Sequence, residues 1–142
     1  MNKRLILLLL LTFLAPVQAA QAARLIIIAN PSVVNPPTLS LKDVAAIYLL
    51  RVTIWPDGSR IVPVNREVGS TERTDFTAMV LHQDFESLAA YWNEMHFQGK
   101  LPPVVQESEP AMLAFVRSVP GAIGYISENT PAIGVTVLAH VP

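Results

Sequence analysis

The sequence predicts an α/β domain built on a mixed, mainly parallel sheet flanked by helices, and three observations carry that expectation. Short β-branched runs alternate with stretches whose apolar residues fall at helical spacing. Clusters of Gly, Pro and Asn punctuate nearly every change from one to the other. The chain has 142 residues and no cysteine, so it has to hold together by a core instead of disulfide staples, and a length of this order suits one such core.

The first segment is expected to be removed. Lys3 and Arg4 precede the apolar run 5–14, and a small-residue stretch, 15–23, follows it with Pro16 inside. This is the order of a secretory signal peptide, with cleavage expected after Ala19 and as late as residue 23. The apolar run is about half the roughly twenty residues that a membrane-spanning helix needs. Residues 1–19 are therefore assigned to a leader and 20–142 to a single exported domain, free in the periplasm and not inserted in the membrane. Without cysteine there is no site for lipid attachment, so a lipoprotein is excluded. Once Lys3 and Arg4 are gone, 8 basic residues face 11 acidic ones, a balance that excludes the basic stripe nucleic acid requires.

Residues 24–29 form a short continuous apolar run closed by Asn30-Pro31, the signature of a buried strand. Pro31, Pro36 and Pro37 then hold an extended loop up to Ser40, which can cap a helix with Asp43 three positions on. Leu41, Val44, Ala45 and Tyr48 continue at helical spacing to an end near Leu49 or Leu50. Trp55-Pro56-Asp57-Gly58 is a turn, and residues 61–65 read as a second strand, with Pro63 placing it near a sheet edge. A helix opens after Gly69-Ser70 with Phe76, Met79 and Val80 facing inward. Another carries Phe85, Leu88, Ala89, Trp92 and Met95 as its stripe and ends at Gly99. Val104 and Val105 are extended, and Ser108 with Pro110 opens a further helix bearing Met112, Phe115 and Val116. Residues 122–126 and 133–139 are the last two strands.

The segment with the most chemistry runs from Val64 to Thr71, where a strand passes through a glycine turn into a helix N-terminus. Free N–H groups and the partial positive charge of such a terminus favour an anion. Ser70 and Thr71 add hydroxyls, Arg66 offers a two-pronged guanidinium, and Gly69 allows close backbone approach. The same spacing also fits a plainer reading in which Ser70 only caps its helix and Arg66 is a solvated surface residue.

Several segments in order are similar to the substrate-binding protein family of phosphate ABC transporters. They are the strand ending in Asn30-Pro31, the helix and Trp55-Pro56-Asp57-Gly58 turn within 41–58, Arg66-Glu67-Val68-Gly69-Ser70 followed by Phe76, and Gly121-Ala122-Ile123-Gly124-Tyr125. The resemblance covers most of residues 25–126 and implies a single periplasmic-binding-protein-like lobe. It implies that Arg66 pairs with oxygens of phosphate or a related oxyanion, that Ser70 donates to them, and that the Thr71 backbone N–H joins. Two positions depart from the family pattern: Glu72 stands where a hydroxyl donor is usual, and Leu50 replaces a glycine. Glu72 is expected to point outward, although its carboxylate could also accept a proton-bearing phosphate oxygen.

The resemblance implies a binding role without chemistry or cofactor, linked to an ABC permease for phosphate uptake or sensing. The family closes two lobes on its ligand, and this length suits about one, so unless a second copy or another protein supplies the second wall an anion is expected to sit on an open, hydrated surface and to bind weakly. The alternative is an accessory module that binds an envelope protein through a degenerate lobe. His82, His96 and His140 lack metal-ligand spacing, and no nucleophile elbow, P-loop or zinc-binding motif is present, so catalysis has no motif behind it.

Overall fold

A strand buried on one face alternates apolar and polar residues, whereas one buried on both faces is apolar throughout. The run at residues 25–29 is of the second kind, and every residue of β1 (Leu25–Ala29) is buried. Leu25, Ile27 and Ala29 face one apolar cluster, and Ile26 and Ile28 face another. Each large side chain so buried contributes about 1.5–3 kcal/mol.

The structure is a computed structural model that describes residues 24–36 and 38–142. The expected signal peptide and Pro37 lie outside the described residues. The elements after β1 are α1 (Leu41–Tyr48), β2 (Val62–Arg66), α2 (Thr71–Met79), α3 (Phe85–Phe97), β3 (Val104–Gln106), α4 (Glu109–Ser118), β4 (Ala122–Ser127) and β5 (Thr136–Val141). The five strands form one mixed sheet in the order β3-β2-β4-β1-β5. β2 is parallel to both β3 and β4, while β1 is antiparallel to both β4 and β5. Parallel and antiparallel pairings are thus evenly shared, a smaller parallel part than the sequence suggested.

Helices cover both faces. Val44, Ile47 and Tyr48 of α1, Phe76 of α2 and Leu88 of α3 pack with the odd-numbered residues of β1. Met112, Leu113 and Val116 of α4 pack on the other side with Ile26, Ile28 and Val64. Gly124 lets α4 approach this closely, because a Cβ there would stand 2.5 Å from Met112 Sδ and 2.9 Å from Val116 Cγ2. Asn30 ties the same helix end to β1, its Nδ2 donating to the carbonyls of Val116 and Arg117 at 2.7 and 2.9 Å.

The helix starts follow their caps. Ser40 and Asp43 form the reciprocal capping box expected at α1, and Asp84 and Ser108 cap α3 and α4. α1 ends in a Schellman pattern, with Arg51 N–H donating to Ala46 O and Leu50 N–H to Ile47 O. Leu50 itself sits at φ 54°, where glycine is usual. The turn expected of a glycine is therefore made by leucine, at a conformational cost of about 1–2 kcal/mol.

Three expectations change. Pro63 does not mark an edge, since β2 lies between β3 and β4. Its missing N–H is tolerated because Val62 N–H turns toward β4, donating to Gly121 O, so Pro63 faces the other side, where β3 begins only opposite Val64. The stripe of α3 is only partly covered: Phe85 and Ala89 are exposed and Met95 is half-buried, while Leu88 is buried with Tyr91 and Trp92 half-buried beside it. α3 meets the core through those three residues, anchored by Tyr91 Oη donating to Leu49 O at 2.6 Å. The last strand begins at Thr136, not residue 133, and Ile133 is exposed.

Candidate functional site

Open α/β sheets place their crevices beyond the carboxyl ends of strands where successive connections leave to opposite faces. β2 leads to α2, which packs with the α1 face, and its parallel neighbour β3 leads to α4 on the other face. The carboxyl ends of β2 and β3 therefore flank the switch point. Arg66 closes β2 opposite Gln106 of β3, and the turn 67–70 runs from there into α2.

The turn is held by its own backbone and by Ser70. Ser70 N–H and Ser70 Oγ both donate to Glu67 O, at 3.1 and 3.0 Å, and Ser70 Oγ accepts from Arg73 N–H at 3.1 Å. The hydroxyl expected to face a ligand is thus engaged as the N-cap of α2. Gly69 is exposed, and a Cβ there would meet nothing within 4 Å, so the fold does not require glycine at this position. Thr71 is exposed at the first turn.

Arg66 is not the solvated residue of the plainer reading. Its side chain is 7% exposed, and its Nη2 donates to Glu67 Oε1 at 2.9 Å. Glu72 Oε2 lies 3.6 Å from Nη1. Glu72 therefore turns partly inward, against the expectation that it points outward, because the buried guanidinium at the end of β2 offers it a counter-charge. Charge pairing does not satisfy the hydrogen-bonding capacity here. Arg66 Nε and Nη1, together with Glu67 Oε2, are buried and lack a hydrogen-bond partner. The guanidinium beside it holds the Glu67 carboxyl below the usual carboxylate range.

A second buried arginine lies beneath the first. Arg73 Nη1 donates to Arg66 O at 3.0 Å, while its Nε is buried without a partner. The end of β2 is also pinned from β4, where Tyr125 Oη donates to Asn65 Oδ1 at 3.0 Å and accepts from Arg66 N–H at 3.1 Å. The Tyr125 ring stacks on Phe76 at 4.0 Å between centroids, and Phe76 meets Tyr48 at 4.6 Å. Burial pushes the Tyr125 phenol up to about 12 and that of Tyr48 well above its ordinary value.

The structure thus brings Arg66, Ser70 and Glu72 together, with Gly69 and Thr71 at the open rim, and adds Glu67, Arg73, Asn65 and Tyr125. Arg73 was legible in principle: it lies three and four positions before Phe76 and Thr77, on the buried face of α2. Trp55 is a core residue whose Nε1 donates to Gly121 O at 3.0 Å. His82, His96 and His140 are exposed. A groove of about 600 Å³, lined by Arg60, Pro63, Lys100, Leu101 and Pro103 among others, lies at the amino ends of β2 and β3, away from Arg66. Among the described residues no helix is long and apolar enough to cross a membrane, and no three or more His, Cys, Asp or Glu side chains are grouped so as to hold a metal ion.

No protein-family model and no curated protein matches the chain. Solved structures do. One described as a phosphate ABC transporter substrate-binding protein with bound phosphate, from Clostridium perfringens, aligns at 24% identity and TM-score 0.62 over 82% of this chain and 45% of its own. An ABC-type phosphate transport receptor from Vibrio cholerae aligns at 22% identity and TM-score 0.62, over 82% of this chain and 46% of its own. PstS from Borrelia burgdorferi aligns at 17% identity and the same TM-score, over 82% and 47%. The chain spans about half the length of these structures, which are named for binding and transport and not for catalysis. Its mixed five-stranded sheet and flanking helices have the α/β fold of about half of a phosphate transport receptor.

Proposed function

We propose that this chain is a non-enzymatic, periplasmic binding module that takes phosphate or a related oxyanion at the start of α2. The single observation that carries the reading is Arg66, a buried guanidinium whose Nε and Nη1 lack an acceptor, at the carboxyl end of β2 beside a helix N-terminus. Each of these nitrogens shares one edge of the guanidinium with Nη2, and such an edge matches two oxygens of a tetrahedral anion once Glu67 gives up Nη2. The α2 terminus adds partial positive charge and the N–H groups of Thr71 and Glu72. The matched structures, named for phosphate transport, support the choice of ligand. Under this reading residues 1–19 are removed on export, residues 20–142 act as one domain, and an ABC permease or a phosphate sensor receives the ligand.

A second reading has one observation in its favour. Glu67 and Glu72 already neutralise Arg66, and a wall so neutralised suits a scaffold that binds an envelope protein and no ligand. Calorimetric titration of the purified protein with phosphate and sulfate separates the two. Heat of binding that disappears in Arg66→Ala supports the anion site. No heat at millimolar phosphate supports the scaffold, and undiminished heat in Arg66→Ala places the site elsewhere.

A further inference from the structure

Arg66 carries five N–H donors and makes one side-chain hydrogen bond, to Glu67. Nη1 faces Glu72 at 3.6 Å, beyond good hydrogen-bond length, and Nε faces no acceptor. Glu67 is bonded through one oxygen while its other oxygen is buried and unpartnered. The two carboxylates therefore supply the charge an anion would bring without its full set of acceptors. Below them Arg73 spends Nη1 on the Arg66 carbonyl and keeps Nε unpartnered. Two arginines and two glutamates sum to zero, so the side chains of the seat bring no net charge to attract an anion while both glutamates stay in place.

Resting on the oxyanion reading, we propose that the Glu67–Arg66–Glu72 triad is an internal latch that fills the anion seat of the free protein. An oxyanion binds when its oxygens replace the two carboxylates on Arg66. Both glutamates can leave without unfolding anything. Glu67 belongs to the turn and its side chain is 36% exposed, and Glu72 is in the first turn of α2 with 22% of its side chain in solvent. Arg66 is placed more firmly, with its side chain only 7% exposed and its backbone bonded to Tyr125 Oη and Arg73 Nη1. The latch thus sets the affinity of the seat through competition, and it moves on the side of the glutamates.

The test is calorimetric titration of inorganic phosphate into the wild-type protein, Glu67→Gln, Glu72→Gln, the double variant, and the double variant carrying Arg66→Ala. Glutamine keeps the shape and removes the charge. The double variant is expected to bind at least tenfold more tightly than wild type, each single variant to show part of the gain, and Arg66→Ala to erase it. Circular dichroism and the urea midpoint verify that each variant is folded. If the double variant does not fold, Glu72→Gln, whose carboxylate makes no hydrogen bond, carries the same prediction with a gain of at least threefold. Wild-type binding that the glutamine variants leave unchanged overturns the latch and leaves the anion seat standing. Absence of binding in every folded variant overturns both.

Discussion

Replacing Tyr125 by phenylalanine removes one oxygen beneath the candidate seat and leaves the ring in place. That oxygen donates to Asn65 Oδ1 and accepts from Arg66 N–H. The variant therefore strands one acceptor and one donor in a region where Asn65 is 4% and Arg66 6% exposed. Leaving a buried polar group unsatisfied costs about 1–3 kcal/mol, and two groups that relax partly together should cost about 2–3 kcal/mol. The stack on Phe76 at 4.0 Å is retained, so no cavity adds to the loss. Urea unfolding followed by the fluorescence of Trp55 and Trp92 measures the change. With m of about 1.5 kcal/mol/M, the midpoint should fall by about 1–2 M at unchanged m. A fall of under about 0.3 M would refute the reasoning, because it would mean that the hydroxyl is not what holds the end of β2.

Three other outcomes follow from the same geometry. Gly121 has φ 76° and a Cβ there would lie 2.1 Å from Arg60 O, so Gly121→Ala should lower stability by more than about 2 kcal/mol; Gly69→Ala, entering open space, should stay within about 0.5 kcal/mol, and equal melting temperatures for the two would contradict this. Ser70→Ala removes the N-cap of α2 and should cost about 1 kcal/mol in urea unfolding, whether or not phosphate is present to bind. In alkali, the Tyr125 phenol keeps its proton in the folded state up to about 12, whereas an unfolded tyrosine loses it near 10; its stabilisation is complete below pH 10 and about 2–3 kcal/mol of it is lost as pH rises to 12, so urea unfolding at stepped pH should show an alkaline loss that is smaller by about that amount in Tyr125→Phe, where Tyr48 still contributes its own.

What the sequence made legible was whatever depends on local pattern. β1 announced itself by an unbroken apolar run, and Ser40 and Asp43 stand three apart, which is all a capping box needs. Pro63 misled because the rule that confines proline to edges concerns hydrogen bonds on both sides of a strand, and β3 starts too late to ask for one. The stripe of α3 misled for a related reason. Periodicity reports which face of a helix is apolar, not how much sheet remains to cover it. At the candidate site, Arg66, Gly69, Ser70, Thr71 and Glu72 are consecutive enough to be found by eye. Tyr125 reaches them from 59 residues away in the sequence, through a sheet order no local pattern encodes.

The residues that order the seat and those that would bind are different ones, and this division explains its cost. Tyr125, Asn65 and Arg73 fix the backbone of Arg66, and the aromatic contacts of Tyr48, Phe76 and Tyr125 fix Tyr125 in turn. None of these contacts satisfies the Arg66 guanidinium, which is left to two partly exposed glutamates. Burying an ion with incomplete hydrogen bonding is unfavourable, and a well-packed apolar side chain of similar volume would often serve stability as well or better. The free energy invested in a rigid backbone thus holds a charged group that is itself under-satisfied, the combination expected of a binding wall. A lone wall still leaves an anion hydrated on one side. Two unit charges 4 Å apart attract by about 1 kcal/mol in water and about 4 kcal/mol in a partly dehydrated site. Under the proposed function, the surface that covers the seat then governs affinity as strongly as the residues that line it.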